Sequence, residues 1–175
     1  MSDPEVTGGV DLGAQEWDDL ARTARPIEND DEQQVEVRQL LTFEVDSTPY
    51  AVPVERVREI VRIRPITPVP RMPKEVRGVI SLRGEIVEVI DLRLRLDLPP
   101  TDPVRSTRII VVHTENGKVA GILVDAVREV SRVSEASIRP PTNSADTGSV
   151  EALCVRGDEF VSLMDLDRIL EIHEC

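Results

Sequence analysis

Residues 54–63 of the chain read VERVREIVRI, and residues 124–133 read VDAVREVSRV, a near copy 70 positions later. A second echo follows, because SLRGEIV at residues 81–87 is answered by CVRGDEF at residues 154–160. Self-similarity at a nearly constant offset sets the architecture of a chain. An offset of about 70 residues is too long for a solenoid repeat and indicates two copies of one small subdomain.

Each copy predicts the same series of elements. Apolar residues alternate with polar ones over 41–45 and again over 79–83 and 86–90, which is typical of short strands. Asp91 and Asp165 stand where a helix N-cap is expected at the end of each copy. About five short strands per copy close most easily as a small barrel, which removes exposed edges. We therefore predict a mainly β fold of two small five-stranded barrels, packed side by side through a shared apolar seam.

The charge is distributed unevenly along the chain. Residues 1–37 hold 11 acidic against two basic residues, a net charge of −9, whereas the remainder holds 22 acidic and 19 basic residues. We interpret residues 1–37 as an acidic, disordered tail and residues 38–173 as the folded region. The repeat divides that region into a first barrel over about 38–103 and a second over about 104–173. The near-neutral charge of the residues after 37 does not favour a nucleic-acid partner, because binding to its phosphates needs clustered basic residues.

Three features of the sequence indicate the cellular compartment, namely its cysteines, its first residues and the length of its apolar runs. Cys154 and Cys175 are two lone thiols, which suits a reducing cytoplasm. The first residues are acidic and carry no apolar stretch of a secretory signal. The uninterrupted apolar runs are about five residues, too short to span a membrane. We expect a cytoplasmic protein that does not insert directly into a membrane.

The inventory of catalytic residues is poor. His113 and His173 have no partner at metal-ligand spacing, and Cys154 has no candidate base near it in sequence. Asp165 and Asp167 resemble a metal-binding pair, but helix capping accounts for Asp165. No nucleophile, base and orienting group can be named together. We predict that the chain is not an enzyme and holds no metal or cofactor.

Glu59 and Arg83 are the charged residues that most invite a role. Each follows a repeated motif, and the second copy carries Glu129 and Arg156 at the matching places. One interpretation is an ion pair that belongs to the fold and is therefore kept in both copies. The other interpretation is a binding site, and the residues alone leave both open.

Several motifs resemble one family in order and spacing. SLRG at 81–84 followed by VIDLR at 89–93 resembles the NLRG…VxDLR block of CheW-type chemotaxis coupling proteins. Residues 119–125 resemble the block of the family's second half, and IRPP at 138–141 also fits. The resemblance covers about residues 38–173. Two positions depart from the pattern, since Ser81 stands where asparagine is common and Ala126 where glycine is frequent.

The resemblance implies two five-stranded SH3-like barrels and an adaptor that couples chemoreceptors to a histidine kinase. In that family a groove between the barrels takes the cytoplasmic hairpin tip of a chemoreceptor. Carried onto this chain, the receptor-binding residues are Val57, Glu59, Arg83 and Gly84. The regulatory domain of the kinase shares the fold, so kinase and adaptor are expected to pack barrel against barrel within receptor arrays.

Three alternatives concern the pathway and the type of protein. The chain has no room for the ATP-binding domain of a kinase or for a fused receiver, so it is expected to be the stand-alone adaptor. The same kind of adaptor also serves twitching, gliding or other chemosensory-like systems, which the sequence does not separate. A small-molecule-binding or hydrolytic protein with its pocket in the seam would need a convergent polar set, and the sequence shows none.

Overall fold

Strands dominate the structure, a computed structural model that describes residues 35–142 and 148–171. Much of the core consists of Val and Ile, whose branched side chains suit a pleated sheet. The strands are β1 (Val37–Val45), β2 (Thr48–Pro53), β3 (Val57–Arg62), β4 (Val76–Leu82), β5 (Glu85–Asp91), β6 (Arg108–His113), β7 (Val119–Val124), β8 (Ala126–Ser134), β9 (Ile138–Arg139), β10 (Val150–Arg156) and β11 (Glu159–Met164). Short helices follow β5 and β11, namely α1 (Leu92–Arg95) and α2 (Leu166–Leu170), and single 3₁₀ turns lie at Val54–Arg56 and Glu135–Ser137. The prediction of a mainly β fold is confirmed.

The predicted acidic tail lies almost wholly outside the described residues, which begin at Val35. Its predicted disorder therefore stays a prediction. The folded region begins slightly before the predicted residue 38, because Val37 already belongs to β1 and pairs with Ser134 of β8.

Each of the two sheets takes strands from both halves of the chain. The six-stranded sheet has the order β8–β1–β2–β11–β10–β9, and the five-stranded sheet has the order β3–β6–β7–β5–β4. The β1–β2 hairpin of the first half thus lies between β8 and β11, and the β6–β7 hairpin of the second half lies between β3 and β5. This exchange of hairpins corrects the predicted division into 38–103 and 104–173. The alternation of apolar residues fixes the faces of a strand but not its neighbours.

An apolar seam joins the two sheets, and β6 shows how it is built. Ile109 and Val111 face the core inside the five-stranded sheet, whereas Ile110 and Val112 face the seam. A strand buried on both faces reads as a continuous apolar run, as β6 does. The seam also contains Leu41, Phe43 and Val52 of the six-stranded sheet, Ile90 and Ile122 of the five-stranded sheet, and Ile169 and Leu170 of α2.

Each sheet also encloses a smaller core of its own. Leu40, Val161 and Leu163 are among the buried residues of the six-stranded sheet. Ile80 and Val89 are among those of the five-stranded sheet, with Val61 and Ile63 packed against them. The two cores flank the seam. The predicted arrangement of two like β units with a shared apolar interior is therefore present.

The proline-rich segment 64–73 crosses over the five-stranded sheet and is bonded to β4 through its backbone at Thr67. The Thr67 N–H donates to the Val79 carbonyl at 2.9 Å, and the Val79 N–H donates to the Thr67 carbonyl at 2.8 Å. Gly78 lies directly beneath this bridge with φ of +141°. The segment approaches β4 so closely because Gly78 has no side chain.

Both predicted helix caps are confirmed. The Asp91 carboxylate accepts the Arg93 N–H at 2.9 Å, and the Asp165 carboxylate accepts the Arg168 N–H at 3.1 Å. Asp91 is buried, and its second oxygen accepts the Arg77 Nε–H at 2.7 Å. Arg77 therefore neutralises the buried carboxylate that caps α1.

Candidate functional site

Two of the predicted site residues form a tight hairpin turn. Arg83 and Gly84 connect β4 to β5, with Leu82 paired to Glu85 across the turn. Their φ angles are +51° and +83°, the left-handed pair of a two-residue type I′ turn. A Cβ built on Gly84 meets nothing within 4 Å, so the backbone angle and not the space favours glycine there. The turn holds Arg83 at the surface, where 75% of its side chain is exposed.

Two ion pairs connect this turn to β3. The Arg83 guanidinium donates from Nε and Nη2 to the two oxygens of Glu59, at 3.2 and 3.3 Å. Beside it the Arg58 Nη1 donates to Glu85 at 2.6 Å. Because β3 and β4 are the two edges of the five-stranded sheet, the ion pairs bring its edges together. We call these four residues the first clasp.

The second half repeats the arrangement. Arg156, at the end of β10, forms an ion pair with Glu129 of β8, and Arg128 pairs with Glu159 at 3.0 Å. We call these four residues the second clasp. It links β8, an edge of the six-stranded sheet, to the β10–β11 turn. The Glu59–Arg83 pair therefore has a part in the fold, as one of the two interpretations of the sequence holds.

The two arginines nevertheless differ in their surroundings. Arg83 occupies a turn position, whereas Arg156 is the last residue of its strand and the following Gly157 takes the positive φ. Arg156 also donates to the Ser131 hydroxyl at 2.9 Å, and only 43% of its side chain is exposed. Arg83 is thus the more accessible of the two and has fewer contacts to give up.

Val57 and Glu59 lie on β3, next to a bulge. Val57 pairs with Val112 and Glu59 with Val111, so Arg58 is the extra residue. Val57 is half-buried and packs against the seam. The structure therefore brings Glu59, Arg83 and Gly84 together at one corner of the five-stranded sheet and places Val57 two residues away on the same strand.

A charged pocket of about 430 Å³ lies beside the six-stranded sheet, next to the 3₁₀ turn at Val54–Arg56. Arg56 donates to Glu115 at 2.6 Å and comes within 3.9 Å of Asp167, so the wall of the pocket connects the β6–β7 loop to α2. Glu55 and Glu151 also line it. The four predicted receptor-binding residues lie elsewhere on the described surface.

Arg93 forms a contact that the sequence did not reveal. Its Nε and Nη2 donate to both oxygens of Asp125 at 2.9 and 2.7 Å, and Nη1 lies 3.3 Å from Asp46. Its Nη1 also donates to the Pro99 carbonyl at 3.2 Å. Only 14% of the Arg93 side chain is exposed. The guanidinium thus ties α1 to the β1–β2 turn and to the β7–β8 junction.

The electrostatics of this contact favour both charged forms. Burial alone would raise the pKa of Asp125, but the hydrogen bonds from Arg93 and from the Asp46 N–H outweigh it and lower that pKa. The hydrogen bond to Asp125 raises the pKa of Arg93 above its usual range, against the opposing effect of burial.

Stability is therefore expected to fall in acid through Asp125. A carboxyl whose pKa is lowered by folding contributes stability above its unfolded value of about 4 and loses it as the pH drops further. We expect Asp125→Asn to cost stability at pH 7 and progressively less below about pH 4, where wild type has lost the same contribution. Urea unfolding of both proteins between pH 3 and pH 7 measures this. A difference between them that stays constant over that range would contradict the assignment.

Comparison with known proteins decides the family. Residues 39–174 match the model of the CheW-like domain, which is most of the chain. The chain belongs to the CheW-like family. The CheW-like resemblance of the sequence motifs is thereby confirmed.

Relatives and one solved structure agree with this placement. The CheW-like chain is 32% identical to chemotaxis protein CheW of Rhizobium meliloti, over 78% of this chain and 90% of that protein. It is 30% identical to protein FrzA of Myxococcus xanthus, over 87% of this chain and 91% of that protein. The crystal structure of scaffolding protein TtCheW from Thermoanaerobacter tengcongensis matches with a TM-score of 0.73 and 32% identity, over 79% and 95% of the two chains.

CheW-like membership and a scaffolding neighbour point to a non-enzymatic adaptor. Within residues 35–142 and 148–171, no helix is long and apolar enough to cross a membrane. The DLR block that carried the resemblance contains Asp91 and Arg93, and the structure gives each a contact. Their positions in a shared block were the one signal available for Arg93, because its partner Asp125 is 32 residues away in sequence.

Proposed function

We propose that this CheW-like chain is a non-catalytic adaptor that couples the cytoplasmic tips of chemoreceptors to the regulatory domain of a chemotaxis histidine kinase. The observation that carries the proposal is the family match over residues 39–174, which leaves little of the folded chain for any other activity. The adaptor works in the cytoplasm, associated with receptor arrays.

The receptor-binding residues are Val57, Glu59, Arg83 and Gly84. Ile86, two residues after Gly84, is an exposed large apolar residue beside the first clasp, so charged and apolar side chains share one surface. Interfaces often combine an apolar centre with arginine and a polar rim. A receptor helix that covers Ile86 also reaches Arg83, whose ion pair with Glu59 is exposed enough to be rearranged.

The kinase contact uses the likeness of the two folds. The regulatory domain and the adaptor pack barrel against barrel, away from the receptor-binding residues. Each contact is modest by itself. Because receptor and kinase are held on one small chain, the second binding event takes place at a high effective concentration.

Direct binding tests this function. The purified chain is mixed with the regulatory domain of the kinase and run on a sizing column at concentrations of about tens of micromolar, where weak signalling contacts are populated. Receptor fragments that contain the hairpin tip are tested by pull-down. We expect co-elution with the kinase domain and retention by the receptor fragment. Failure of both would overturn the proposal.

Arg83→Ala is expected to separate binding from folding. We expect receptor-fragment affinity to fall about tenfold or more, as for an interface arginine, and the free energy of unfolding to change by at most about 1 kcal/mol, as for an exposed ion pair. Arg156→Ala is the matched control, since it removes the twin ion pair. The control should alter stability similarly and leave receptor binding unchanged. Equal losses of binding in both variants would assign Arg83 to the fold alone.

A second candidate is the same type of adaptor in a twitching, gliding or other chemosensory-like pathway. The match to protein FrzA, a relative that does not carry the CheW name, favours keeping it. Pull-down with receptor tips and kinase regulatory domains of every chemosensory system in the same genome separates the two. Preference for a set encoded beside pilus or gliding genes would support the second candidate.

A further inference from the structure

Four arginines gather at one corner of the five-stranded sheet. Arg62 ends β3 and lies directly opposite Arg108, the first residue of β6. Arg64 follows Arg62 by two residues, and the Arg105 carbonyl accepts the Arg108 Nη1–H at 2.7 Å. We call Arg62, Arg64, Arg105 and Arg108 the arginine face.

None of these four side chains has a carboxylate partner within residues 35–142 and 148–171. Arg64 donates to the Ser81 carbonyl at 3.2 Å, and Arg108 donates to the carbonyls of Arg105 and Thr107. Most other arginines of the two sheets behave differently. Ion pairs hold Arg56, Arg58, Arg77, Arg83, Arg128 and Arg156. Residues 38–175 hold 22 acidic and 19 basic residues, and none of the described carboxylates forms an ion pair with these four arginines.

The arrangement costs stability within the chain itself. Residues directly opposite on neighbouring strands project to the same side of the sheet. Like charges at such positions repel each other and destabilise the pair. Arg62 and Arg108 therefore repel across β3 and β6 without a described counter-charge. A ligand with negative charge would remove that repulsion.

Apolar side chains accompany the charges. Ile60, two residues before Arg62 on β3, is 42% exposed, and Val104, next to Arg105, is 59% exposed. A phosphate group or a nucleic-acid backbone would pair with the arginines but leave these apolar side chains in water. A protein segment carries carboxylates and apolar side chains together.

We propose that the arginine face binds an acidic, amphipathic segment of a partner protein. Carboxylates of that segment pair with Arg62 and Arg108, and its apolar side chains cover Ile60 and Val104. Arginine suits this task because its planar guanidinium binds a carboxylate through two parallel hydrogen bonds. The surface differs from the receptor-binding residues proposed above, and the proposal goes beyond the coupling function.

A synthetic peptide tests the proposal on the full chain. The probe is a fluorescein-labelled helical peptide of glutamate with leucine at helical spacing, and binding is followed by fluorescence anisotropy at several salt concentrations. We expect Arg62→Gln/Arg108→Gln to weaken binding about tenfold or more, since two charge-assisted contacts are lost. The midpoint of thermal unfolding should stay unchanged or rise, because the repulsion is removed.

Arg132→Gln/Arg139→Gln is the matched control. Both arginines are exposed on the six-stranded sheet and have no carboxylate partner in the described part of the chain. The control should bind the peptide with nearly wild-type affinity. Equal weakening in both double variants would show a general charge effect and overturn the proposal.

Three further outcomes also decide the matter. Wild-type affinity for a peptide of glutamate without leucine, or binding to phosphatidylglycerol vesicles that depends on Arg62 and Arg108, would replace the protein partner by another anion and overturn the proposal. The Arg62→Gln/Arg108→Gln protein should still bind receptor fragments and the kinase domain. Loss of receptor and kinase binding in that variant would show that the arginine face is not a separate site and would overturn the proposal. Failure of the wild-type chain to bind the peptide would also overturn the proposal but would leave the coupling function intact.

Discussion

Gly78→Ala is expected to lower the free energy of unfolding by about 4 kcal/mol, from steric overlap and backbone strain together. A Cβ at this position would lie 2.1 Å from the Thr67 carbonyl oxygen and 2.7 Å from its carbon. Both atoms belong to the backbone, which two hydrogen bonds to Val79 hold against β4. The φ of +141° also disfavours any residue with a side chain. Urea unfolding followed by circular dichroism measures the change.

Gly84→Ala is the control for Gly78→Ala. Gly84 also has a positive φ, but a Cβ there meets nothing within 4 Å. We therefore expect a loss of about 1 kcal/mol, from backbone strain alone. Similar losses at the two glycines would mean that the crossing segment moves away easily and that the contact at Thr67 contributes little.

Arg93→Met is expected to cost about 3 kcal/mol, the lower end of the range for a broken buried ion pair, because Asp46 is partly exposed. The substitution keeps an apolar stem but removes four hydrogen-bonding or ionic contacts around one guanidinium. Asp125 then lies half-buried without its cation. We expect α1 to loosen from the β1–β2 turn, which hydrogen exchange of the Asp46 amide would detect.

Two further variants define the Arg93 result. Lys74→Met removes a surface ion pair to Asp97 at 3.2 Å and should change stability by less than about 0.5 kcal/mol. Asp125→Asn added to Arg93→Met should recover part of the loss, since the unpaired carboxylate is then neutral. Absence of any recovery would place the cost of Arg93→Met in packing instead of charge.

The sequence was most informative where local chemistry decides the structure. Asp91 and Asp165 cap short helices through contacts to residues two or three positions away. Arg83 and Gly84 make a tight turn between the two strands that the alternation over 79–83 and 86–90 predicted. Such features depend on neighbours in the chain, so residue types at fixed spacing are sufficient to predict them.

The exchange of hairpins could not be predicted from the sequence, for a physical reason. The β1–β2 and β6–β7 hairpins are both built from short, largely apolar strands, and each offers one face to the seam. Either hairpin satisfies those faces in its own sheet or in the other one. The choice depends on the connections at 53–57 and 124–126, which are short and direct the chain into the neighbouring sheet. Apolar periodicity carries no information about that choice.

The candidate site shows the same limit. The repeat predicted that Glu59 and Arg83 have twins, and the structure places both pairs in contact. The repeat in the sequence did not reveal that Arg58 and Glu85 complete the first clasp or that Arg93 reaches Asp125. Those partners are brought together by sheet closure and by helix placement. Long-range ion pairs of this kind follow from the fold and do not precede it.

The exchange of hairpins sets an order for synthesis. Chains emerge from the ribosome amino-terminus first, so β1 and β2 appear long before β8 and β11, their neighbours in the sheet. The five-stranded sheet has all its strands once Val124 has emerged, whereas the first hairpin still lacks its partners. Until then the apolar faces of Leu41 and Phe43 are covered only by the hairpin's packing on β5, β6 and β7 across the seam. The strands β1 and β2 are thus among the last to complete a sheet, and the nascent chain depends on β8 and β11 to cover its first hairpin.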